Sequence, residues 1–237
     1  MKKLLVALMM ASGFAAYAQV TGNMTVTSDY RFRGVSQTQN ASAIQGGVDY
    51  SNASGLYIGN WNSSVSSQLY TNGAGMESDL YAGIKKQVAK DVTLDVGSMN
   101  YFYPRATNGT STNFDTNELY AGVSYKDLVT TKYSQSMSNY FGTANSKNSK
   151  YIQADVTLPI TGKLVAVAHA GRTNVHNSAS LNYTDYNAGV VYDLQGWAVA
   201  AKYYTNTSKA SGFESANTVN SQKLYKDLVV LSVSKSF

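Results

Sequence analysis

Val20-Thr21-Gly22-Asn23-Met24-Thr25-Val26-Thr27-Ser28-Asp29-Tyr30-Arg31-Phe32-Arg33 alternates with a period of two. Val20, Met24, Val26, Tyr30 and Phe32 fall on one phase; Thr21, Asn23, Thr25, Thr27, Asp29, Arg31 and Arg33 fall on the other. Successive side chains of a strand point to opposite faces, so the stretch predicts a strand with one apolar and one polar side. The pattern recurs to the end of the chain. Val229, Leu231, Val233 and Phe237 share one phase, with Ser232, Ser234 and Ser236 on the other. Leu119, Ala121, Val123 and Tyr125 alternate with Glu118, Tyr120 and Ser124.

Twelve such strands are predicted, near 20–33, 43–51, 56–63, 76–86, 92–103, 115–125, 128–136, 150–159, 164–172, 183–192, 197–205 and 227–237. Their connections alternate between long polar loops and short turns. The long ones fall near 34–42, 64–75, 104–114, 137–149, 173–182 and 206–226. Short turns are expected at Asn52–Gly55, Gln87–Asp91, Lys126-Asp127, Ile160–Lys163 and Asp193–Gly196. A soluble sandwich has no reason to alternate in this way, whereas a transmembrane barrel has long extracellular loops and short periplasmic turns. The fold expected is therefore all-β: an antiparallel up-and-down transmembrane barrel of about twelve strands. Aromatic residues support it. Tyr50, Tyr57, Tyr125, Tyr192, Trp197 and Phe237 are assigned to an outward girdle beside the short turns, and Phe32, Trp61, Phe102, Tyr186 and Tyr203 to one beside the long loops.

Composition narrows the class. Of 237 residues only 14% are charged, 19 are Tyr, two are Pro and none is Cys. A disulfide framework or thiolate metal site is excluded. Met1-Lys2-Lys3, the apolar run Leu4 to Phe14 and Ala16-Tyr17-Ala18 have the form of a cleavable secretory leader. Residues 1–18 are accordingly read as a signal peptide and 19–237 as the barrel, exported to the outer membrane of a Gram-negative bacterium. The formal charge of +5 falls to +3 without Lys2 and Lys3, and no basic stripe points to nucleic acid.

The first hairpin is distinctive. Ser28-Asp29-Tyr30-Arg31-Phe32-Arg33-Gly34-Val35-Ser36-Gln37-Thr38, followed by Ile44-Gln45-Gly46-Gly47-Val48-Asp49-Tyr50 and Gly55-Leu56-Tyr57-Ile58-Gly59-Asn60-Trp61-Asn62-Ser63, resembles the Gcw_chp group, also called the TorF porin family. Leu94-Asp95-Val96-Gly97, Tyr101-Phe102-Tyr103-Pro104 and Glu118-Leu119-Tyr120-Ala121-Gly122-Val123 extend the resemblance over nearly the whole chain after the leader. It implies an outer-membrane barrel acting as a solute channel, with no defined substrate and no catalytic residues. The terminal Phe237 resembles the signal that such barrels present to their assembly machinery; Lys235 departs from that pattern.

The phase assigned to the lumen carries Asp29, Arg31, Arg33, Asp49, Glu77, Asp79, Lys85, Asp95, Glu118, Lys132, Asp155, Asp185 and Lys202. Asp29, Arg31, Arg33, Asp49, Glu77, Asp79, Asp95 and Glu118 are the candidate pore-lining or constriction residues. Asp29, Arg31, Arg33 and Asp49 form either a constriction or a rigid salt-bridge knot. Eight acidic against five basic side chains fit either passive diffusion of small hydrophilic solutes with a mild preference for cations, or a network that pairs across strands and plugs the lumen. No cofactor or metal is implied. Expected partners are outer-membrane lipid and lipopolysaccharide, the barrel-assembly machinery and small polar solutes. Two other readings stay open: a barrel enzyme using His169 or His176 as base, and an adhesin working through its long loops. The weak alternation of 164–172 leaves the face of His169 unassigned.

Overall fold

The computed structural model describes residues 18–107, 113–207 and 211–237; of the expected leader, residues 1–17 lie outside them. Twelve antiparallel strands close into one barrel. They are β1 (Gln19–Thr27), β2 (Ala43–Ser51), β3 (Leu56–Ser64), β4 (Met76–Ala89), β5 (Val92–Phe102) and β6 (Thr116–Tyr125). Then come β7 (Val129–Ser136), β8 (Lys150–Pro159), β9 (Leu164–Asn174), β10 (Tyr183–Leu194), β11 (Trp197–Asn206) and β12 (Leu228–Ser236). Each strand pairs with its neighbours in the chain, and β1 pairs with β12 to shut the sheet. At the seam Gly22 N–H donates to Phe237 O at 2.8 Å, and Phe237 N–H returns a bond to Gly22 O at 3.0 Å. Closure leaves no unpaired strand edge, which hydrocarbon would penalise heavily. Among the described residues no helix is long and apolar enough to cross a membrane.

The period-two pattern survives in three dimensions. Val20, Met24 and Val26 are exposed on the outside of β1, while Thr27 is buried. Tyr50, Phe102, Tyr125, Tyr186, Tyr192, Trp197, Tyr203 and Phe237 also point outward. Lys235, the departure from the terminal pattern, sets its ammonium over the outward Trp197 ring at 4.8 Å. Such a contact, worth roughly 0.5–1 kcal/mol at an exposed site, makes the lysine tolerable there.

Inside, tyrosine and glycine are matched across strands. Tyr57 lies opposite Gly83, Tyr81 opposite Gly59 and Tyr120 opposite Gly97. In each case the ring occupies the space that a Cβ on the glycine would need, and Tyr151 covers Gly171 in the same way on β8–β9. A tyrosine lying flat across a neighbouring glycine fills the lumen wall without bulging the sheet, and helps to pin strand register.

Four aromatic assignments are corrected. β1 ends at Thr27, not at 33, where Thr27 Oγ1 donates to Asp29 O at 2.9 Å and the chain turns inward. Tyr30 and Phe32 consequently sit inside the barrel. Trp61 and Tyr57 also face inward, because β3 places Leu56 and Ile58 on its outside. The outward phase of β3 continues into Asn60 and Asn62, which belong to a hydrogen-bonded polar ladder with Ser78. Hydrophobicity alone therefore named the wrong face at that end. In β9, Val165 and Val167 point inward and pack with Val191 and Ala200, so apolar residues lie on both faces and blur the alternation.

Candidate functional site in the lumen

The long connection 28–42 folds back into the barrel instead of standing above it. Arg31–Phe32 and Val35–Ser36 pair as a miniature hairpin. Its two-residue tip, Arg33-Gly34, has positive φ at both positions, 48° and 77°. That is the type I′ turn, whose twist suits a tight antiparallel pair and whose second position favours glycine. Gly34 is needed for a second reason: a Cβ there would lie 2.6 Å from the Cβ of Asp185 on β10. The hairpin tip thus presses against the lumen wall.

Three polar attachments hold it. Arg31 Nε meets Asp29 Oδ2 at 2.5 Å, and Asp29 Oδ1 accepts from Ser36 Oγ at 2.5 Å and Thr38 Oγ1 at 3.0 Å. Arg31 also donates to Gly34 O, Asn40 Oδ1 and Leu224 O, fastening the hairpin to the loop 207–227. Arg33 grips Glu118 on β6 bidentately, at 2.9 and 2.7 Å, and donates to Tyr140 Oη at 3.1 Å. Its guanidinium lies 4.2 Å from the Tyr151 ring centroid and 4.8 Å from that of Phe32. On the other side Gln37 accepts from Tyr70, and Ser66 N–H donates to Gln37 O at 2.9 Å. Burial among aromatic rings pushes the Tyr70 phenol well above its ordinary pKa, so it remains a neutral donor.

Apolar packing completes the seat. Tyr30, Trp61, Tyr70, Tyr101 and Tyr103 form a buried aromatic cluster, with Tyr30 edge-on to Trp61 at 5.4 Å and Tyr70 stacked on Tyr103 at 4.2 Å. Val35 joins a second cluster with Tyr183, Leu224, Tyr225 and the fully buried Phe213 of α1 (Ser211–Ala216). That short helix lies in a stretch where no helical periodicity is legible. Aromatic and loop side chains therefore fill the long-loop half of the lumen around the hairpin.

The predicted site residues separate into distinct places. Asp29 and Arg31 form the knot within the hairpin, and Arg33 pairs with Glu118 across the lumen. Asp49 does not join them; it accepts from Tyr81 Oη at 2.5 Å. Asp95 accepts from Tyr57 Oη at 2.6 Å, and Tyr57 in turn touches Tyr120. Glu77 and Asp79 are buried behind the hairpin, where Glu77 Oε1 accepts from Tyr30 Oη at 3.2 Å. Among the described residues Glu77 Oε2 and Asp79 Oδ1 have no hydrogen-bond partner.

Outside the hairpin a further polar group centres on His169, whose face the sequence leaves open. His169 points inward and bridges two carboxylates, Nδ1 to Asp155 Oδ1 at 2.7 Å and Nε2 to Asp185 Oδ1 at 3.0 Å. Tyr151 Oη lies 3.0 Å from His169 Nε2 and donates to Asp185 Oδ2 at 3.1 Å. Asp155 also accepts from Gln153 Nε2 at 2.7 Å. The available signal was the inward phase of Asp155 and Asp185 on β8 and β10, the strands on either side of β9. His176 lies in the loop after β9, where its backbone N–H donates to Ser149 Oγ at 3.0 Å. Among the described residues, no group of three His, Cys, Asp or Glu side chains could hold a metal ion. Between hairpin tip and wall lies a cavity of about 190 Å³, bordered by Arg33, Lys132, Tyr151, His169, Asp185 and Asn187 among others.

Known structures share this architecture. The barrel is similar to the KdgM porin, with a TM-score of 0.57 at 6% identity over 92% of this chain and 98% of that one. A second KdgM structure, in complex with disordered oligogalacturonate, matches at TM-score 0.57 and 7% identity over 92% and 99%. The NanC porin matches at 0.56 and 8% identity over 91% and 98%. Identities this low speak to fold alone. No curated protein sequence matches the chain. The sequence family described as "Bacterial protein of unknown function (Gcw_chp)" matches residues 11–237, almost the whole length. This chain is a member of the Gcw_chp family, in the form of a closed twelve-stranded barrel with its first long loop seated in the lumen.

Proposed function

We infer that this protein is an outer-membrane channel for passive diffusion of small hydrophilic solutes, with the 28–42 loop as its constriction. The observation that carries the reading is the Arg33-Gly34 turn, held across the lumen by Glu118 beside a polar cavity. A charged turn fixed inside a closed barrel narrows a path and sets which solutes meet charge, as in selectivity rings generally. The likeness of the fold to KdgM and NanC supports it, and that KdgM has been seen with an oligogalacturonate fits a polar-solute role. Export through residues 1–18, assembly through Phe237, and a setting among lipid and lipopolysaccharide of a Gram-negative outer membrane belong to the same proposal. The test is single-channel recording of refolded residues 19–237 in a planar bilayer. Discrete steps are expected; silence from folded, inserted protein would overturn the channel.

One observation favours a second reading. His169 between Asp155 and Asp185 has the geometry of an oriented base, with Tyr151 as its hydroxyl neighbour. A barrel hydrolase would lose turnover in His169→Gln, whereas a channel would keep its conductance steps. An adhesin would withstand that change and lose binding on loop deletion.

A further inference from the structure

The cavity beside the hairpin tip is unequal in charge and in the use of its polar groups. Arg31, Arg33 and Lys132 border it, against a single carboxylate, Asp185. Asp29 and Glu118, which neutralise the two arginines, stand behind them and do not line it. The arginines are spent on those partners, and His169 and Tyr151 are spent on Asp155 and Asp185. Three lining side chains are not spent. Among the described residues Lys132 Nζ has no carboxylate within ion-pair distance; the Tyr120 ring lies 5.3 Å away, and Glu118, Asp155 and Asp95 attract it only at longer range. Neither the Asn187 amide nor the Tyr204 hydroxyl, both on the cavity wall, has a hydrogen-bond partner among the described residues.

An ammonium, an amide and a phenol free of partners around one space are the donors that a small oxygen-rich anion needs. The volume, about 190 Å³, lies below the usual range for drug-sized ligands, roughly 300–1,000 Å³, and corresponds to about six waters. We propose that this cavity is a binding subsite for a small hydroxylated carboxylate, of the size of one sugar acid. Lys132 meets its carboxylate, and Asn187 and Tyr204 meet its hydroxyls. Beside the hairpin tip the two arginines are neutralised, so the positive charge of Lys132 is what raises the local concentration of anions. Local arrangement therefore opposes the cation preference expected from counting inward charges along the strands. The subsite deepens the channel reading and rests on it for the route by which a solute arrives.

Binding is measured by calorimetric titration of the refolded 19–237 barrel in neutral detergent, with glucuronate, glucose and glucosamine as probes. Glucuronate should bind at least tenfold more tightly than glucose, and glucosamine more weakly than either. Lys132→Gln should bring glucuronate down to the level of glucose, and Tyr204→Phe should weaken both alike. Rising NaCl should erode the glucuronate preference of the unaltered protein and spare glucose, a readout that needs no variant. Equal binding of glucuronate and glucose, no binding of either, or a preference that survives Lys132→Gln each overturns the subsite. Bilayer recording of the same preparation separates the two proposals. Conductance without glucuronate preference sinks the subsite alone, and glucuronate binding without conductance sinks the channel alone.

Discussion

Arg33, at the tip of a hairpin folded inside the barrel, holds Glu118 of β6 through two parallel hydrogen bonds, with both side chains almost fully buried. Bidentate guanidinium–carboxylate pairs combine charge with fixed geometry, so this contact sets where the hairpin stops. Removing one member leaves an uncompensated buried charge, at a cost of about 3–5 kcal/mol. Glu118→Ala and Arg33→Ala are therefore expected to loosen the hairpin while the barrel stays closed. Recording in planar bilayers should show larger or flickering steps, and limited proteolysis should cut within 28–42 where the unaltered protein resists. Unchanged current and protease resistance would show that the aromatic seat alone suffices.

His169 satisfies Asp155 and Asp185 together, and no lysine or arginine forms an ion pair with either among the described residues. His169→Leu removes the shared partner of two carboxylates in the lumen wall, leaving Asp155 to Gln153 and Asp185 to Tyr151. Losing partners of buried polar groups costs about 1–3 kcal/mol each. A lowered urea midpoint, read by the return of heat-modifiable migration on gels, is the expected outcome. His169→Gln, which can still donate to one carboxylate, should fall between the two.

The tyrosine-over-glycine pairs are expected to be sensitive to a single methyl. At Gly171 a Cβ would collide with the Tyr151 phenol, and at Gly162, in a short turn, nothing lies within 4 Å. Gly171→Ala should destabilise by about 1–3 kcal/mol through overpacking, and Gly162→Ala should lie within about half a kcal/mol of the parent. Thermal melts followed by circular dichroism compare them. Equal melts for the two would deny the rings any part in register.

Phe237 closes the seam through its backbone, while its ring, 75% exposed, lies over Gly22 on the outside of β1. Deleting Phe237 removes both main-chain bonds and the cover; Phe237→Ala removes only the cover. Export and folding in cells, scored as the fraction of heat-modifiable barrel in outer-membrane fractions, should fall steeply for the deletion and several-fold for the alanine variant. Equal loss would assign the effect to the ring, in keeping with an assembly signal read by its side chain.

How far the sequence reached depends on how local each signal is. Strand number, the long–short rhythm of connections and the faces of β1, β6 and β12 follow from period-two patterning, because burial against lipid is decided one residue at a time. The inward phase likewise named Asp95, Glu118 and Asp185 as lumen residues. Three-dimensional packing alone decided the rest. Positive φ at Arg33 and Gly34 turns the chain back into the lumen, where Tyr30 and Phe32 find aromatic partners more than sixty residues distant or nearer across β3. From the strand pattern those rings looked lipid-facing, since an aromatic in hydrocarbon and one in an aromatic-filled lumen carry the same apolar signature. Which carboxylate meets Arg33, and which lysine is left without one, depends on contacts between strands far apart in the chain. No period in the sequence encodes those distances; closing the sheet on itself does.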